Sequence, residues 1–343
     1  MRPATLPLGS RQVGTGTPCC ILAAMGAAHD GSAEKALKML DAAFKMGADA
    51  IKLQIFRAEH LVVRRHPERK QLEAVELSPR EWKKVLKAAK ASGLAVLVEA
   101  LDGPSLELAA EAAVDGFEIH ATDMENPDFI RSVGGCGRAM FLATGGVPAE
   151  AVGAALDLAG AAPVGLIHGV AADPAPVEEI HFRDLNAWKE RYRLPVGYLD
   201  RTDGSSAFAL VAPALAVAHG ADLVEKHFTL ERSEKGYACR SSLGPEDFYR
   251  MVEILRQAER ASGDGLVPEG ESALRQRRQT ARSIVAGGLI PRGEVLTAGM
   301  LAFKRTDVRF DPGFSPRESH RVIGRRARRP IQADETIRED MLE

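Results

Sequence analysis

The chain has 343 residues, of which 45% are hydrophobic and 27% charged, and its formal net charge is −2. That balance fits a globular protein with one large domain and a small one, and it gives no support to a nucleic-acid partner or an anionic membrane surface. No apolar run reaches the ~18 residues of a membrane span, so no membrane partner is expected.

The N-terminus carries Arg2 and Arg11 without a continuous apolar stretch, so no signal peptide is expected. The four cysteines, Cys19, Cys20, Cys136 and Cys239, lack metal-binding spacing. Their pattern points to a reducing, cytoplasmic compartment.

In chain order, short apolar runs alternate with amphipathic stretches. Strands are predicted over 19–26, 48–56, 94–101, 116–122, 139–145, 164–170, 195–200 and 222–230. Helices are predicted over 33–46, 79–92, 104–113, 126–133, 148–159, 182–192, 204–219 and 246–262. Gly47, Gly93, Gly116 and Gly220 punctuate the units. Eight strand–helix units in about 245 residues predict a (β/α)8 TIM barrel. An open doubly wound sheet is the alternative, but no GxGxxG follows the first strand. The polar segment 57–78 is too long for a routine loop and is expected to lie over the barrel mouth.

The expected domains are a barrel over 1–262, a linker over 263–281 and a small module over 282–343. Gly, Pro and charge dominate 263–279. Beyond it come short β-type runs at 283–288, 300–305 and 321–331, with turns at Pro291–Gly293 and Asp311–Gly313. The module is mostly β, and alone its core is marginal, so a docking surface is expected. The basic stretch of Arg321, Arg325, Arg326, Arg328 and Arg329 reads as a solvated charged face.

In such barrels reacting groups stand at the C-terminal ends of the strands. Lys52 and Gln54 alternate on the second predicted strand. Glu99 lies on the third, Glu118 and His120 on the fourth with Asp123 beyond, and His168 on the sixth. Asp200 and Arg201 end the seventh, and Glu225, His227 and Thr229 alternate on the eighth. Alone, each reads as a salt-bridge partner or a hydrogen-bonded core imidazole. Together they point to a functional pocket, because buried charge is costly unless it is paired or bound.

The order of motifs from about residue 19 onward resembles the sialic acid (nonulosonic acid) synthase family. Gly26–Gly31 (GAAHDG) is similar to its G-x-N-H-N-G loop, and Ala50–Gln54 to its A-V-K-x-Q strand. Leu194–Tyr198, Glu225–Thr229, Gly263–Gly265, Ala281–Ile284 and Lys304–Arg305 continue the match. The resemblance implies a (β/α)8 barrel followed by an antifreeze-like (SAF) domain. It implies condensation of phosphoenolpyruvate with an N-acylated hexosamine, aided by a divalent metal such as Mn2+ or Mg2+. It also implies a domain-swapped homodimer in which the small domain covers the partner's barrel.

The resemblance further assigns roles. Lys52 and Gln54 hold the phosphoenolpyruvate end, and His227 binds metal. Glu225 and Asp123 position water or hydroxyls, and Arg305 reaches the sugar in the other subunit.

Several positions depart from the family pattern. A carboxylate position is Ala24, a phosphate-binding threonine is Glu99, and a phosphate-binding lysine is Glu118. Serines are replaced by Ala121, Ala143 and Leu199, and a metal-binding histidine by Arg201. The D-H-K-A-S stretch reads Ala238-Cys239-Arg240-Ser241-Ser242. These changes set negative charge where a polyanion needs cations and donors. Arg201 restores one positive charge for substrate binding, and a metal beside His227 needs a new partner among His120, His168 and Glu118. Two alternatives follow: a diverged barrel with different metal-dependent chemistry on a less anionic substrate, or a non-catalytic binding homologue.

Overall fold

Near-continuous apolar runs are the mark of strands covered on both faces, and eight of them close here into one parallel barrel. The structure is a computed structural model that describes residues 5–232, 240–263, 270–306 and 313–343. The chain divides into two compact units, Met1–Gly263 and Asp264–Glu343.

The first unit opens with a hairpin, β1 (Thr5–Leu8) and β2 (Arg11–Gly14), which the sequence reading missed. Its signal is the Gly9-Ser10 turn between short alternating runs, with Gly9 at φ 61°. Leu6, Leu8 and Val13 form one apolar cluster with Cys20, Leu22, Ala50, Leu97, Phe141 and Leu223 from the barrel interior. The hairpin therefore plugs the end of the barrel opposite the mouth.

The wall follows, each strand inside its predicted range: β3 (Cys20–Gly26), β4 (Ala50–Ile55), β5 (Ala95–Ala100) and β6 (Gly116–Ile119). Next come β7 (Ala139–Ala143), β8 (Val164–His168), β9 (Val196–Asp200) and β10 (Leu223–His227). The barrel closes where β10 pairs with β3.

After β3 comes α1 (Ala33–Lys45). After β4 come α2 (Ala58–Leu61), α3 (Arg69–Val75) and α4 (Pro79–Ala91). The helices α5 (Gly103–Glu111), α6 (Pro127–Gly135), α7 (Ala149–Leu158), α8 (Arg183–Tyr192), α9 (Phe208–Ala218) and α10 (Pro245–Ser262) follow the remaining strands. The helix α4 shows why these segments coil. Ser78 and Glu81 form a capping box, Pro79 opens the first turn, and Trp82, Val85, Leu86 and Ala89 bury one face. The segment 57–78 packs Ala58, Leu72 and Val75 against Ala27, Phe56 and Leu101, at the C-terminal ends of β3, β4 and β5.

Two glycines let the strands approach closely at the mouth. A Cβ on Gly145 would lie 2.3 Å from the Gly169 carbonyl oxygen, and one on Gly169 would lie 2.3 Å from that of Leu199.

In the second unit, α11 (Glu271–Thr280) lies in the segment expected to be linker. Its Ala, Leu, Gln and Arg favour helix without an apolar stripe, so periodicity gave no sign of it. The strands β11 (Arg282–Ala286) and β12 (Leu301–Arg305) pair antiparallel. The run at 321–331 is not a strand. A 3-10 turn covers Pro316–Arg321, and single bridges join Val295 to Arg326 and Ile290 to Ile331. Ile284, Leu296, Phe314, Ile331, Ile337 and Met341 fill the core. Arg321 and Arg325 pair with Glu339, and Arg329 pairs with Glu335, as a solvated charged face would. The predicted turn at Asp311–Gly313 and the motif residues Asp264, Gly265, Ala238 and Cys239 lie wholly or partly outside the described residues. Cys19, Cys20 and Cys136 are free thiols. Among the described residues no helix is long and apolar enough to cross a membrane.

Candidate active site at the mouth of the barrel

Strand alternation sends every second side chain into the barrel. Leu223, Leu97 and Ala50 belong to the interior cluster, so Glu225, His227, Glu99, Lys52 and Gln54 share the inward face above them. The register sets Gln54 level with Glu99 and Glu99 level with Glu118. It also sets His227 level with Ala24, and Ala24 level with Lys52. Ala24 contributes only a methyl group between β10 and β4, and Lys52 meets Glu225 across it.

The Lys52 ammonium lies 2.5 Å from Glu225 Oε1, 3.0 Å from Glu118 Oε1 and 3.9 Å from Glu99 Oε2. All four side chains are buried. Burial alone pushes the Lys52 pKa down, but Glu118, Glu225 and Glu99 outweigh it and hold the pKa above the ordinary lysine value. Gln54 donates to Glu99 Oε2 at 2.7 Å. Burial pushes the Glu99 carboxyl up, yet Lys52, His120, Gln54 and Arg201 together bring it below the usual range. Glu118 goes the other way, pushed well up by burial and by Glu225. Two carboxyls side by side are thus driven apart, one ionised and one held toward its acid form.

His227 is buried, and burial, Arg201, Lys52 and Lys226 keep it neutral by pushing its pKa well down. Neither of its ring nitrogens has a hydrogen-bond partner, and neither do Arg201 Nε, Glu118 Oε2 and Glu225 Oε2. A bulge in β3 at Ala24–Gly26, with Gly26 at φ 52°, leaves room for the ring. A Cβ on Gly26 would lie 3.4 Å from His227 Cε1 and Nδ1.

The other expected residues are placed differently. His168 shares the helix-facing side of β8 with Val164 and Leu166, so it is turned away from His227. Its Nδ1 is held by Thr144 Oγ1 at 2.9 Å and by the Trp188 indole at 3.2 Å. His120 stands just past β6, where its Nδ1 meets Thr122 Oγ1 at 2.8 Å. Asp123 lies in the turn that follows, 3.4 Å from the Asn126 amide. Arg305 ends β12 in the second unit and is exposed.

Two buried groups within the matched motifs were not singled out as site residues. Lys226, between Glu225 and His227, faces the helices and bonds Asp200 at 3.0 Å. His29, in the loop after β3, packs edge-on against Trp82 at 5.5 Å. Burial lowers the His29 pKa to about 4. Alternation is the signal for Lys226, and His29 holds the histidine position of the Gly26–Gly31 loop motif.

The donor set does not fit a divalent cation. Glu118, a candidate partner, is bound to Lys52, His168 faces outward, and Arg201 stands where the family resemblance implies a second imidazole. Among the described residues no three His, Cys, Asp or Glu side chains are grouped to hold a metal.

A closed parallel barrel with ionisable groups gathered at the C-terminal ends of its strands is the architecture of a (β/α)8-barrel enzyme. Residues 39–266 match the NeuB family and residues 281–343 match the SAF domain. The chain belongs to the NeuB family, the family of sialic and related nonulosonic acid synthases to which its motifs point. It is 31% identical over 307 residues to an uncharacterised protein of Methanocaldococcus jannaschii, covering 88% of each chain. It is 28% identical over 338 residues to the N,N'-diacetyllegionaminic acid synthase of Campylobacter jejuni, covering 93% of this chain and 98% of that one. The crystal structure of the Bacillus subtilis spore coat polysaccharide biosynthesis protein SpsE aligns with a TM-score of 0.69 at 26% identity, covering 99% of both chains.

Proposed function

We propose that the protein is a carbon–carbon bond-forming synthase of the nonulosonate type whose three-carbon donor carries less negative charge than phosphoenolpyruvate. It joins C3 of an enol-type donor to the carbonyl carbon of an open-chain, N-acylated hexosamine. Family membership supports the reaction class. The single observation that carries the altered donor is Lys52, whose ammonium is already held by Glu118 and Glu225.

The family assignment gives Lys52 and Gln54 to the anionic end of the donor. Here both are bound to carboxyl groups, so a phosphate dianion would have to displace buried pairs and face the ionised Glu99. Like charges 4 Å apart repel by roughly 4 kcal/mol at an effective dielectric of 20. The same negative mouth suits the chemistry that follows attack. As C3 bonds to the aldehyde carbon, positive charge develops at C2 of the donor, and the ionised Glu99 stabilises that oxocarbenium. Glu118, held toward its acid form, gives its proton to the aldehyde oxygen. Loss of the C2 hydroxyl proton to water then turns the oxocarbenium into a ketone, and Glu118 recovers its proton from solvent.

Mass spectrometry of reactions pairing open-chain N-acyl amino sugars with either phosphoenolpyruvate or pyruvate tests the proposal. An adduct with the phosphate-free donor, together with no calorimetric binding of phosphoenolpyruvate, is expected. No adduct from any pair sinks the synthase reading. Tight phosphoenolpyruvate binding with phosphate release sinks the altered donor.

A further inference from the structure

One row of side chains crosses the mouth from β9 to β4. The β9–β10 register ends at Asp200 paired with Lys226, and Arg201 and His227 are the next residues along the chain, close enough for the guanidinium to act on the imidazole. From His227 the row runs to Ala24 and from Ala24 to Lys52. A guanidinium, an imidazole, a methyl group and an ammonium therefore follow one another. Three polar atoms in this row, Arg201 Nε and both His227 nitrogens, are buried without a hydrogen-bond partner. Among the described residues no carboxylate forms an ion pair with Arg201, in contrast to Lys52, which has three.

Unpartnered donors in a protein interior are favourable only when a ligand oxygen completes them. The same row is a poor cation site. It offers one imidazole between two fixed positive charges, and the position between His227 and Lys52 is a methyl group.

We infer that Arg201 takes the place of a divalent metal beside His227, so that a fixed guanidinium polarises the substrate carbonyl and the barrel works without a metal ion. The guanidinium points fork-like donors at one oxygen and stays charged at any working pH. It supplies in fixed form the positive charge that a Lewis acid supplies elsewhere in such chemistry. The neutral His227 ring adds a second donor to the same oxygen. This inference rests on reading the mouth as a carbonyl-addition site.

The test uses Mn2+ as the probe and the full chain, stripped with chelator. Free Mn2+ is read by its electron paramagnetic resonance signal, with melting curves to confirm that each variant is folded. The wild-type chain is expected to leave the signal undiminished. Arg201→His, which exchanges the cation for a second imidazole, is expected to tighten Mn2+ binding by at least about tenfold. Wild-type binding that His227→Gln abolishes would overturn the inference. Failure of a folded Arg201→His variant to gain affinity would overturn the role given to Arg201. Should that variant not fold, the comparison of wild type with His227→Gln decides alone. Turnover is read separately, with and without chelator. Absence of any product counts against the proposed reaction, whereas chelator-sensitive turnover counts against the metal-free site.

Discussion

The barrel wall buries two lysines, one on each face, and they are treated in opposite ways. Lys226 faces the helices and donates to Asp200 Oδ2 at 3.0 Å, to Thr202 Oγ1 at 3.1 Å and to the Thr202 carbonyl at 3.3 Å. Asp200 in turn accepts from the Thr202 amide at 2.8 Å and from the Tyr198 hydroxyl at 3.4 Å. Burial outweighs Asp200 and lowers the Lys226 pKa. Lys52 faces the mouth, where three carboxyls outweigh burial and raise its pKa, yet Glu118 Oε2 and Glu225 Oε2 keep no hydrogen-bond partner. A polar network that closes on itself fastens the wall. One that leaves atoms open holds a place for a ligand.

The largest expected effects separate the two lysines. Lys52→Met leaves its carboxyls without a cation and is expected to lower stability by about 3–5 kcal/mol at neutral pH, measured by urea denaturation. The loss shrinks as acid neutralises the carboxyls, but no carbon–carbon product forms at any pH. Lys226→Met strands Asp200 and is expected to lower stability by a similar 3–5 kcal/mol. Adding Asp200→Asn, which keeps an acceptor for Thr202, recovers most of that loss and restores turnover. If Lys226→Met abolishes turnover while leaving the urea midpoint unchanged, the contrast between wall and mouth fails.

That contrast was only half visible in the sequence. The strands and helices were legible because the apolar period changes from two to 3.6 at each glycine-marked turn. Lys52 with Gln54, and Glu225 with His227, were legible as same-face pairs because each pair takes alternate positions of one strand, whereas the direction of Glu99 was not legible. Nor was pairing between strands, because Lys52 meets Glu225 only once β10 closes on β3. His168 was misjudged by counting polar residues near strand ends without their parity. It shares a face with Leu166, and that face is turned to the helices. The hairpin at β1 and β2 was too short for periodicity to register.

A smaller effect tests whether an open atom always marks the mouth. His29 Nε2 also lacks a partner, but its ring packs on Trp82 rather than on the charged row. Its pKa falls from the ordinary 6.5 to about 4 on folding, so the folded protein binds fewer protons there than the unfolded chain. Stability is full above the unfolded value and is lost as pH falls toward 4, by up to about 3 kcal/mol. His29→Phe is expected to remove that part of the acid sensitivity in denaturation at pH 7 and pH 4.5. A wild-type slope that persists in the variant would place His29 with the polar site instead of the packed shell.

The finest test follows the carboxyl that distinguishes the mouth. Glu118 has its pKa raised, so the folded state holds more protons there than the unfolded chain. The sign is therefore opposite to that of His29: stability attributable to Glu118 is full below the unfolded carboxyl value and declines as pH rises above it, by at most about 1.4 kcal/mol per pH unit. Glu118→Gln keeps the shape and an oxygen for Lys52 but cannot ionise, so its stability is expected to gain on wild type as pH rises. Turnover is expected to lose its alkaline decline and most of its rate together, because the proton for the aldehyde oxygen is gone. A variant that gains stability but keeps the wild-type rate would make Glu118 a member of the wall, and the division between the two lysines would then rest on Glu225 and Glu99 alone.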